Sequence, residues 1–319
     1  MRSIAPYLLV LAFAVWCVAA LQGDLAQLSL AALARSWSIL LLAAVLSLFN
    51  YVLRILRWRS YLAHLGHRVP LGFAALTFTA GFAYTLSPGK LGEMARARYY
   101  VALGVPMSEV AAAFFTERLL DLAVMVALAT LLLTAYQGYA GAILAAAALV
   151  AFALAVLSLA PWPAFLSRLK SSNPTPGRLL RVLTSLTSAL ASTRALLRPG
   201  ILLSGFLLGL VAWGLEGVGV GLGLLSTMFP PLQLAPASAV GIYGVAVLIG
   251  GLSFLPGGLG STEAVMTALL GKMGYPLGDA LLITLSCRLV TLWLAVVLGW
   301  LAVFILRQRA PAVVSPWQS

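Results

Sequence analysis

The organisation of this chain is set by residues 71–103, which read LGFAALTFTAGFAYTLSPGKLGEMARARYYVAL. Two short apolar stretches are joined here by Ser87-Pro88-Gly89-Lys90, and neither stretch has the roughly 20 residues that a membrane-spanning helix needs. Proline interrupts a helix, and glycine permits the turn that follows. We expect either a re-entrant hairpin or one broken pair of spans at this point.

The same frame returns later in the chain. Residues 256–263 read PGGLGSTE, and residues 88–93 read PGKLGE, so both contain Pro-Gly-x-Leu-Gly with a glutamate soon after. The second copy also follows a short apolar segment, Val240–Leu255. Each copy precedes an arginine inside an apolar run, in RLLDL from Arg118 and in RLVTL from Arg288. The sequence therefore predicts an internal duplication with an offset of 168 to 170 residues.

Composition assigns the class. Of 319 residues, 62% are hydrophobic and only 9% are charged, whereas an ordinary globular domain has about 25% charged residues. This excludes a soluble enzyme, a nucleic-acid-binding domain and a disordered chain. A transmembrane β-barrel is also excluded, because its segments of about ten residues alternate in polarity. We predict a polytopic all-α membrane protein, formed by one transmembrane domain over residues 1–319.

Apolar runs place about six full spans around the two Pro-Gly-broken hairpins, or eight segments if each hairpin is counted as a span. An uncleaved first span is preferred to a signal peptide at the N-terminus. The first repeat core covers residues 54–136 and the second covers residues 237–306. The predicted full spans are Ala5–Leu21, Trp37–Leu53, Met107–Thr134, Tyr139–Ala160, Gly200–Met228 and Ala280–Leu306.

The number of crossings predicts the relation between the repeats. Three full spans separate the hairpins, so the hairpins enter from opposite faces and the duplication is inverted, as in many alternating-access carriers. The net charge of +12 predicts the orientation, because Lys and Arg collect in cytoplasmic loops. With both termini cytoplasmic, 13 basic residues fall inside and only Arg35 and Lys272 fall outside. We expect a multi-pass protein of the cytoplasmic membrane.

Two segments are predicted to lie at the membrane surface. Residues 54–62, RILRWRSYL, interleave basic and aromatic side chains, as expected of a helix at the cytoplasmic headgroup level. Residues 161–199 form a basic cytoplasmic loop without any acid. Within this loop an amphipathic helix is predicted from leucines at helical spacing, namely Leu179, Leu183, Leu186 and Leu190.

Ten charges are predicted at or near hydrocarbon depth. Each would cost about 2.5–3.5 kcal/mol or more at a lipid-facing helix centre, so they must face one another or a wet cavity. One interpretation is that they are buried ion pairs that fix packing, with Glu93 and Glu263 only complementing a helix dipole. The ten are Lys90, Glu93, Arg96, Arg98, Glu117, Arg118, Asp121, Glu216, Glu263 and Arg288.

The functional interpretation combines the charges with the breaks. A half-helix that begins at Pro-Gly inside the membrane has unpaired N–H groups and attracts anions, above all beside Lys90, Arg118 and Arg288. The phosphate of a lipid headgroup fits such a chamber, with its tails left in the bilayer. The chain backbone could approach this phosphate closely at Gly89, Gly92, Gly257, Gly258 and Gly260.

Motifs for other chemistry are missing from the sequence. The frame around Gly89-Lys90 is not that of a P-loop. His64 and His67 are the only histidines and no third metal ligand stands near them, so we predict neither a metal site nor a cofactor. Cys17 and Cys287 are interpreted as buried thiols. We expect a protein that is not an enzyme, has no catalytic residues and binds no nucleic acid.

The motifs resemble those of a known family. Arg54-x-x-Arg57-Trp58-Arg59-x-x-Leu62, the two Pro-Gly frames and Glu117-Arg118-x-x-Asp121 resemble the flippase-like transmembrane domain of lysylphosphatidylglycerol synthetases, the multiple-peptide-resistance factors. The resemblance covers roughly residues 40–305. It implies translocation of a lipid, and it suggests a glycosyltransferase or lipid-modifying enzyme as partner. The chain ends soon after its last span, so we expect a stand-alone member without the synthetase domain.

Three hypotheses follow. The first is a translocase for an anionic phospholipid or a polyprenyl-phosphate-linked headgroup. The second is a membrane-embedded transferase with Glu93 or Glu263 as base, and the third is a non-catalytic partner subunit. The predicted substrate site comprises Pro88, Gly89, Lys90, Gly92, Glu93, Arg96, Glu117, Arg118, Asp121, Pro256, Gly257, Gly258, Gly260, Glu263 and Arg288.

Overall fold

A computed structural model describes residues 37–134, 137–162, 164–165, 167, 178–219 and 236–309. The predicted first span, Cys17 and the end of the chain lie outside these ranges. Regular structure in the described part is helical and includes no strand. The prediction of an all-α polytopic membrane protein is confirmed.

The helices are numbered here in chain order. In the described residues, four stretches of 3-10 helix lie between them, at Pro88–Arg96, Thr130–Thr134, Gln137–Tyr139 and Pro256–Gly258, together with one π-helical turn at Leu289–Trp293. The α-helices are α1 (Trp37–His64), α2 (Leu71–Phe82), α3 (Ala97–Val101), α4 (Met107–Ala129), α5 (Ala140–Leu159), α6 (Arg178–Leu196), α7 (Pro199–Val218), α8 (Pro236–Leu252), α9 (Ser261–Lys272), α10 (Leu277–Arg288) and α11 (Leu294–Arg309).

In the part of the chain that the structure describes, four long helices are apolar enough to cross a membrane. They are α1, α5, α7 and the continuous run Leu277–Gln308 through α10 and α11. Helix α4 has 23 residues and is just as long, but it carries four charged side chains. Three of these side chains, Glu117, Arg118 and Asp121, pair with one another inside the protein.

Helix α1 corrects one prediction. It continues to His64 without a break, although the sequence placed a separate interfacial helix at residues 54–62. Arg57 is fully buried, and Arg54 is 4% exposed. Both arginines find carboxylates inside the protein, so they do not need the headgroup region to solvate them.

The two hairpins contain helices shorter than the bilayer core. Helix α2 has 12 residues and α8 has 17, which gives about 18 and 26 Å at 1.5 Å per residue, against a core of about 30 Å. Each helix is followed by a Pro-Gly break. Gly89 has φ 58° and Gly257 has φ 61°, in the left-handed region that favours glycine. The predicted interruptions are therefore present as breaks in both helices.

The duplicated sequence also folds in the same way in both copies. Gly104 (φ 85°) and Gly274 (φ 94°) end a helix 170 residues apart. Two residues later Pro106 and Pro276 precede α4 and α10, which begin at equivalent positions. Each copy also has a polar contact at the equivalent position. In the first copy Thr85 donates to Glu93. In the second copy the residues 168 positions later are Ser253 and Ser261, and their hydroxyls lie 2.9 Å apart.

The two copies pack against each other reciprocally. Helix α2 of the first copy packs on α11, and α8 of the second copy packs on α4. At the breaks, a Cβ at Gly89 would lie 3.1 Å from Phe254, and a Cβ at Gly257 would lie 2.7 Å from Leu86. Leu86 and Phe254 are themselves 168 residues apart. Equivalent residues of the two copies thus make reciprocal contacts at the breaks. The inverted arrangement stays a prediction.

Helix α6 lies within the predicted basic loop and packs along α4. Its inner face is formed by Thr187, Thr193 and Leu196, which are buried. Two leucines of the predicted apolar stripe, Leu183 and Leu186, are exposed on the outer face. The helix therefore has two different faces, but not as predicted, because the threonines Thr187 and Thr193 face the protein and Leu183 and Leu186 do not.

Close packing of α8 on α4 depends on glycine. A Cβ at Gly244 would lie 2.9 Å from the backbone of Ala129, whereas a Cβ at Gly214 in α7 would meet nothing within 4 Å. We expect Gly244→Leu to lower the free energy of unfolding by about 1–3 kcal/mol, because overpacking forces the helices apart. The thermal midpoint of purified protein in detergent measures this. Gly214→Leu is the matched control, and equal losses in both variants would contradict the packing described here.

Candidate functional site

A single buried carboxylate lies at the centre of the charged residues. Glu117 in α4 is fully buried, and four arginines surround it. Its Oε2 lies 2.5 Å from Arg96, and its Oε1 lies 3.0 Å from Arg118, 3.3 Å from Arg54 and 3.6 Å from Arg57. Three separate parts of the chain, α1, the first break and α4, therefore meet at one side chain.

Asp121 extends this cluster by one helical turn. It lies on the same face of α4 as Glu117, four residues later. Arg57 approaches it to 2.5 Å and Arg118 to 3.1 Å, and the indole N–H of Trp213 donates to it over 3.0 Å. Arg54 and Arg57 lie about one helical turn apart on α1, and they contact Glu117 and Asp121 in turn, so the two helices are joined by paired charges.

Arginines in the cluster also stack on aromatic rings. The guanidinium of Arg96 lies 3.8 Å from the ring centre of Trp58 and 4.4 Å from that of Phe78. A desolvated arginine over aromatic faces gains about 2 kcal/mol or more. The interleaved aromatics that suggested an interfacial helix thus face inward and hold arginine side chains in place.

The second copy contains a smaller network. Arg288 lies 2.6 Å from Glu263 and donates to the carbonyl of Gly257 over 2.7 Å. Glu263 also accepts a hydrogen bond from the backbone N–H of Gly260 over 2.7 Å, which caps α9. Both oxygens of this carboxylate therefore have a partner. The contact with Gly260 agrees with a role at the helix N-terminus, and the contact with Arg288 agrees with a buried ion pair.

Lys90 differs from the other cations. Its φ of 57° lies in the left-handed region, where a non-glycine residue costs about 1–2 kcal/mol. The equivalent position in the second copy, 168 residues later, is Gly258, with φ 67°. Among the described residues no carboxylate lies within salt-bridge distance of Lys90, and its ammonium is 5.8 Å from the ring centre of Trp213. The chain keeps a strained, unpaired lysine where glycine would relieve the strain.

Two cavities adjoin this lysine. The larger has a volume of about 250 Å³ and is lined by Lys90, Arg118 and Arg288 together with apolar side chains. The smaller has a volume of about 50 Å³ and is lined by polar side chains that include Lys90, Glu93, Glu216 and Arg288. Lys90 and Arg288 line both cavities, so both cavities belong to one site.

The predicted site residues take different places in this arrangement. Gly89, Gly257, Gly258 and Asp121 line the larger cavity, and Glu93 lines the smaller one. Arg96 and Glu117 are buried in the charged cluster. Four residues shape the breaks and line neither cavity, namely Pro88, Gly92, Pro256 and Gly260. A Cβ at Gly92, for example, would lie 2.7 Å from the hydroxyl oxygen of Ser87. Arg98 donates to Tyr99, outside the cluster.

Sequence reasoning missed several residues of the site. Arg54 and Arg57 were assigned to the headgroup level, although both lie on one face of α1, about one helical turn apart, as Glu117 and Asp121 do on α4. Asn50, Trp213 and Tyr243 are polar residues within apolar runs, and all three contact a buried carboxylate. Asn50, a polar amide within the predicted span Trp37–Leu53, was a signal in the sequence that could have indicated a buried polar contact.

A family model described as the lysylphosphatidylglycerol synthase TM region matches residues 4–299. The chain belongs to this family. The match includes both breaks and all charges of the two networks, and the resemblance drawn from the motifs is confirmed. Comparison with curated proteins finds no match. Family membership gives the chain a role connected with membrane lipids and a multi-pass position in a membrane.

Arg57 tests the stability of the cluster. Arg57→Gln leaves Asp121 and Glu117 less compensated, and breaking a buried ion pair costs about 3–5 kcal/mol. We expect a strongly lowered thermal midpoint in detergent. Arg59→Gln is the matched control, because Arg59 is exposed and donates to the carbonyl of Val69. A midpoint for Arg57→Gln no lower than that of Arg59→Gln would contradict the network.

Lys90 has the opposite expectation for stability. Lys90→Gly removes a charge that has no ion pair and relieves the left-handed strain, which offsets the extra freedom of glycine in the unfolded chain. We expect a thermal midpoint equal to or above that of the wild type. A midpoint that falls as far as in Arg57→Gln would show that Lys90 is structural.

Proposed function

We propose that this protein is a lipid translocase, which moves an anionic phospholipid or a polyprenyl-phosphate-linked headgroup between the leaflets of the cytoplasmic membrane. The observation that carries the proposal is the larger cavity, which joins three cations to an apolar rim. A lipid has this same division into a charged head and apolar tails. The protein is proposed to be a carrier and not an enzyme.

The inner wall of the cavity suits a phosphate. Lys90 has no carboxylate partner among the described residues, and the buried Nε of Arg118 donates no hydrogen bond there, although Nη2 of the same side chain is ion-paired with Glu117 and Asp121. Charge-assisted hydrogen bonds to phosphate are roughly twice as strong as neutral ones. Because unmade hydrogen bonds are costly for buried donors, an anionic headgroup would be favoured at this wall.

The rim suits acyl or prenyl tails. Phe254 is 67% exposed, Leu91 is 54% exposed and Leu255 is 44% exposed, and all three line the larger cavity. Phe115 joins them from α4. Apolar side chains that face a bilayer have no cost in exposure, so the tails could remain in the membrane while the headgroup enters.

The paired breaks supply a route between leaflets. Each copy places a Pro-Gly break at the centre of the molecule, and the two breaks contact each other. If the repeats are inverted, exchanging the conformations of the two copies would open the site to the opposite leaflet. Burial of Arg54 and Arg57 leaves eleven basic residues on the predicted cytoplasmic side against two outside, so the proposed orientation keeps its support.

The transferase hypothesis has less support than the translocase. It would use Glu93 or Glu263 as a base, but both oxygens of Glu263 are already bound by Arg288 and the N–H of Gly260. Glu93 accepts from Thr85 and lies 3.8 Å from Arg118. A carboxylate that balances an arginine is a weak base.

Lipids retained by the purified protein test the proposal. We expect mass spectrometry of the wild type to show one anionic lipid class enriched over the bulk membrane. Lys90→Gln and Arg118→Gln should each reduce that enrichment about tenfold, which corresponds to 1.4 kcal/mol of lost headgroup binding. Arg194→Gln changes an exposed arginine of α6 and is the matched control.

The outcomes separate the three hypotheses. Bulk lipid composition in every sample would contradict a headgroup site and favour the partner-subunit hypothesis. A retained lipid that carries a new covalent group after incubation with a donor would favour the transferase. Enrichment that survives in both variants would place the headgroup elsewhere.

A further inference from the structure

Glu216 in α7 is a buried acid without a cation. It is 2% exposed and accepts hydrogen bonds from the amide of Asn50 over 2.9 Å and from the hydroxyl of Tyr243 over 2.7 Å. Among the described residues no lysine or arginine lies within 4 Å of it. The other acids of the site each have an arginine within this distance, namely Glu93, Glu117, Asp121 and Glu263.

The surroundings of Glu216 satisfy both of its protonation states. The ionised carboxylate has two donors, Asn50 and Tyr243. A protonated carboxyl needs an acceptor, and among the described residues one buried acceptor on the facing side of α1 has no hydrogen-bond partner, the amide oxygen of Asn50. Buried polar atoms seldom remain unpaired, since each costs about 1–3 kcal/mol. The pocket is therefore suited to a carboxyl that gains and loses a proton.

Glu216 shares the smaller cavity with Lys90. A cavity of about 50 Å³ has room for water between the two groups. Without substrate, an ionised Glu216 contributes the negative charge that Lys90 lacks. When an anionic headgroup reaches Lys90 from the larger cavity, the two negative charges compete for the same lysine, and the carboxylate is destabilised.

We propose that Glu216 takes up one proton when an anionic headgroup binds at Lys90, so that headgroup and proton are bound together. This inference rests on the proposed function and adds its energy coupling. The proton comes from water on the side to which the site is open, converts the carboxylate to the neutral acid, and leaves when the headgroup leaves. A proton gradient would then drive the headgroup toward one leaflet. The ionisable groups around Glu216 are Tyr51, Arg54, Lys90, Glu93, Tyr243, Cys287 and Arg288.

Affinity as a function of pH tests the coupling. Calorimetry would measure binding of dihexanoylphosphatidylglycerol to the full chain in detergent from about pH 5 to pH 8. A phosphodiester keeps its charge over this range. We expect wild-type affinity to fall as pH rises, by up to tenfold per pH unit if one proton is taken up. Glu216→Gln mimics the neutral acid and should bind with the same high affinity at every pH.

Three further variants keep the test specific. Tyr243→Phe removes a donor to the ionised carboxylate, so the loss of affinity should move to higher pH. Glu93→Gln changes another acid of the same cavity and should keep the wild-type slope. Asp279→Asn, at the start of α10 and outside both cavities, is the matched control.

Each outcome has a defined meaning. A wild-type slope that persists in Glu216→Gln would overturn the proton site and leave the translocase intact. A slope that disappears in Glu93→Gln instead would assign the proton to Glu93 and overturn this inference. If the wild type binds no phosphatidylglycerol or other anionic headgroup at any pH, the proposed function fails together with the inference.

Discussion

The contact of Glu117 with four arginines is the constraint on which the rest of the structure depends. Inside a membrane protein this carboxylate would be costly alone, and so would each of its partners. Together they compensate one another only if α1, the first break and α4 come to the same point. That requirement fixes the position of the break, and the break in turn holds Lys90 at the junction of the two cavities.

The two copies share a backbone plan but differ in chemistry. The first copy contributes Lys90 and most of the charged cluster, whereas the second contributes Arg288, Glu263 and the exposed Phe254 of the rim. At the equivalent strained position one copy has lysine and the other has glycine. The shared backbone plan therefore accounts for the similar helices and breaks of the two copies, and the lysine at this position is one point where their chemistry differs.

Much of the architecture follows from the sequence because its signals are local. Apolar runs mark the spans, Pro-Gly marks the breaks, and the motif Pro-Gly-x-Leu-Gly marks the duplication. The depth of Arg54 and Arg57 could not be predicted, because basic residues beside aromatics are usual at a membrane surface. Only their acidic partners, 63 and 64 residues further along the chain, make burial possible.

Polar contacts between segments far apart in the sequence could not be predicted either. Asn50 meets Glu216 across 166 residues of sequence, and neither has a periodic pattern that would reveal the other. Helix α6 was predicted from its leucines, but Thr187 and Thr193 are buried, whereas Leu183 and Leu186 of the predicted stripe are exposed. Packing between helices inside a membrane favours small residues, so hydropathy alone assigns the wrong face.

Transport of an anionic lipid between leaflets tests the central claim most directly. Fluorescent phosphatidylglycerol would be followed in vesicles that contain the wild type, Lys90→Gly or no protein, with dithionite quenching only the outer leaflet. We expect the wild type to expose inner-leaflet lipid to dithionite, and we expect Lys90→Gly to remain folded and to behave as the protein-free vesicles do. Equal transport by Lys90→Gly and the wild type would contradict the central claim.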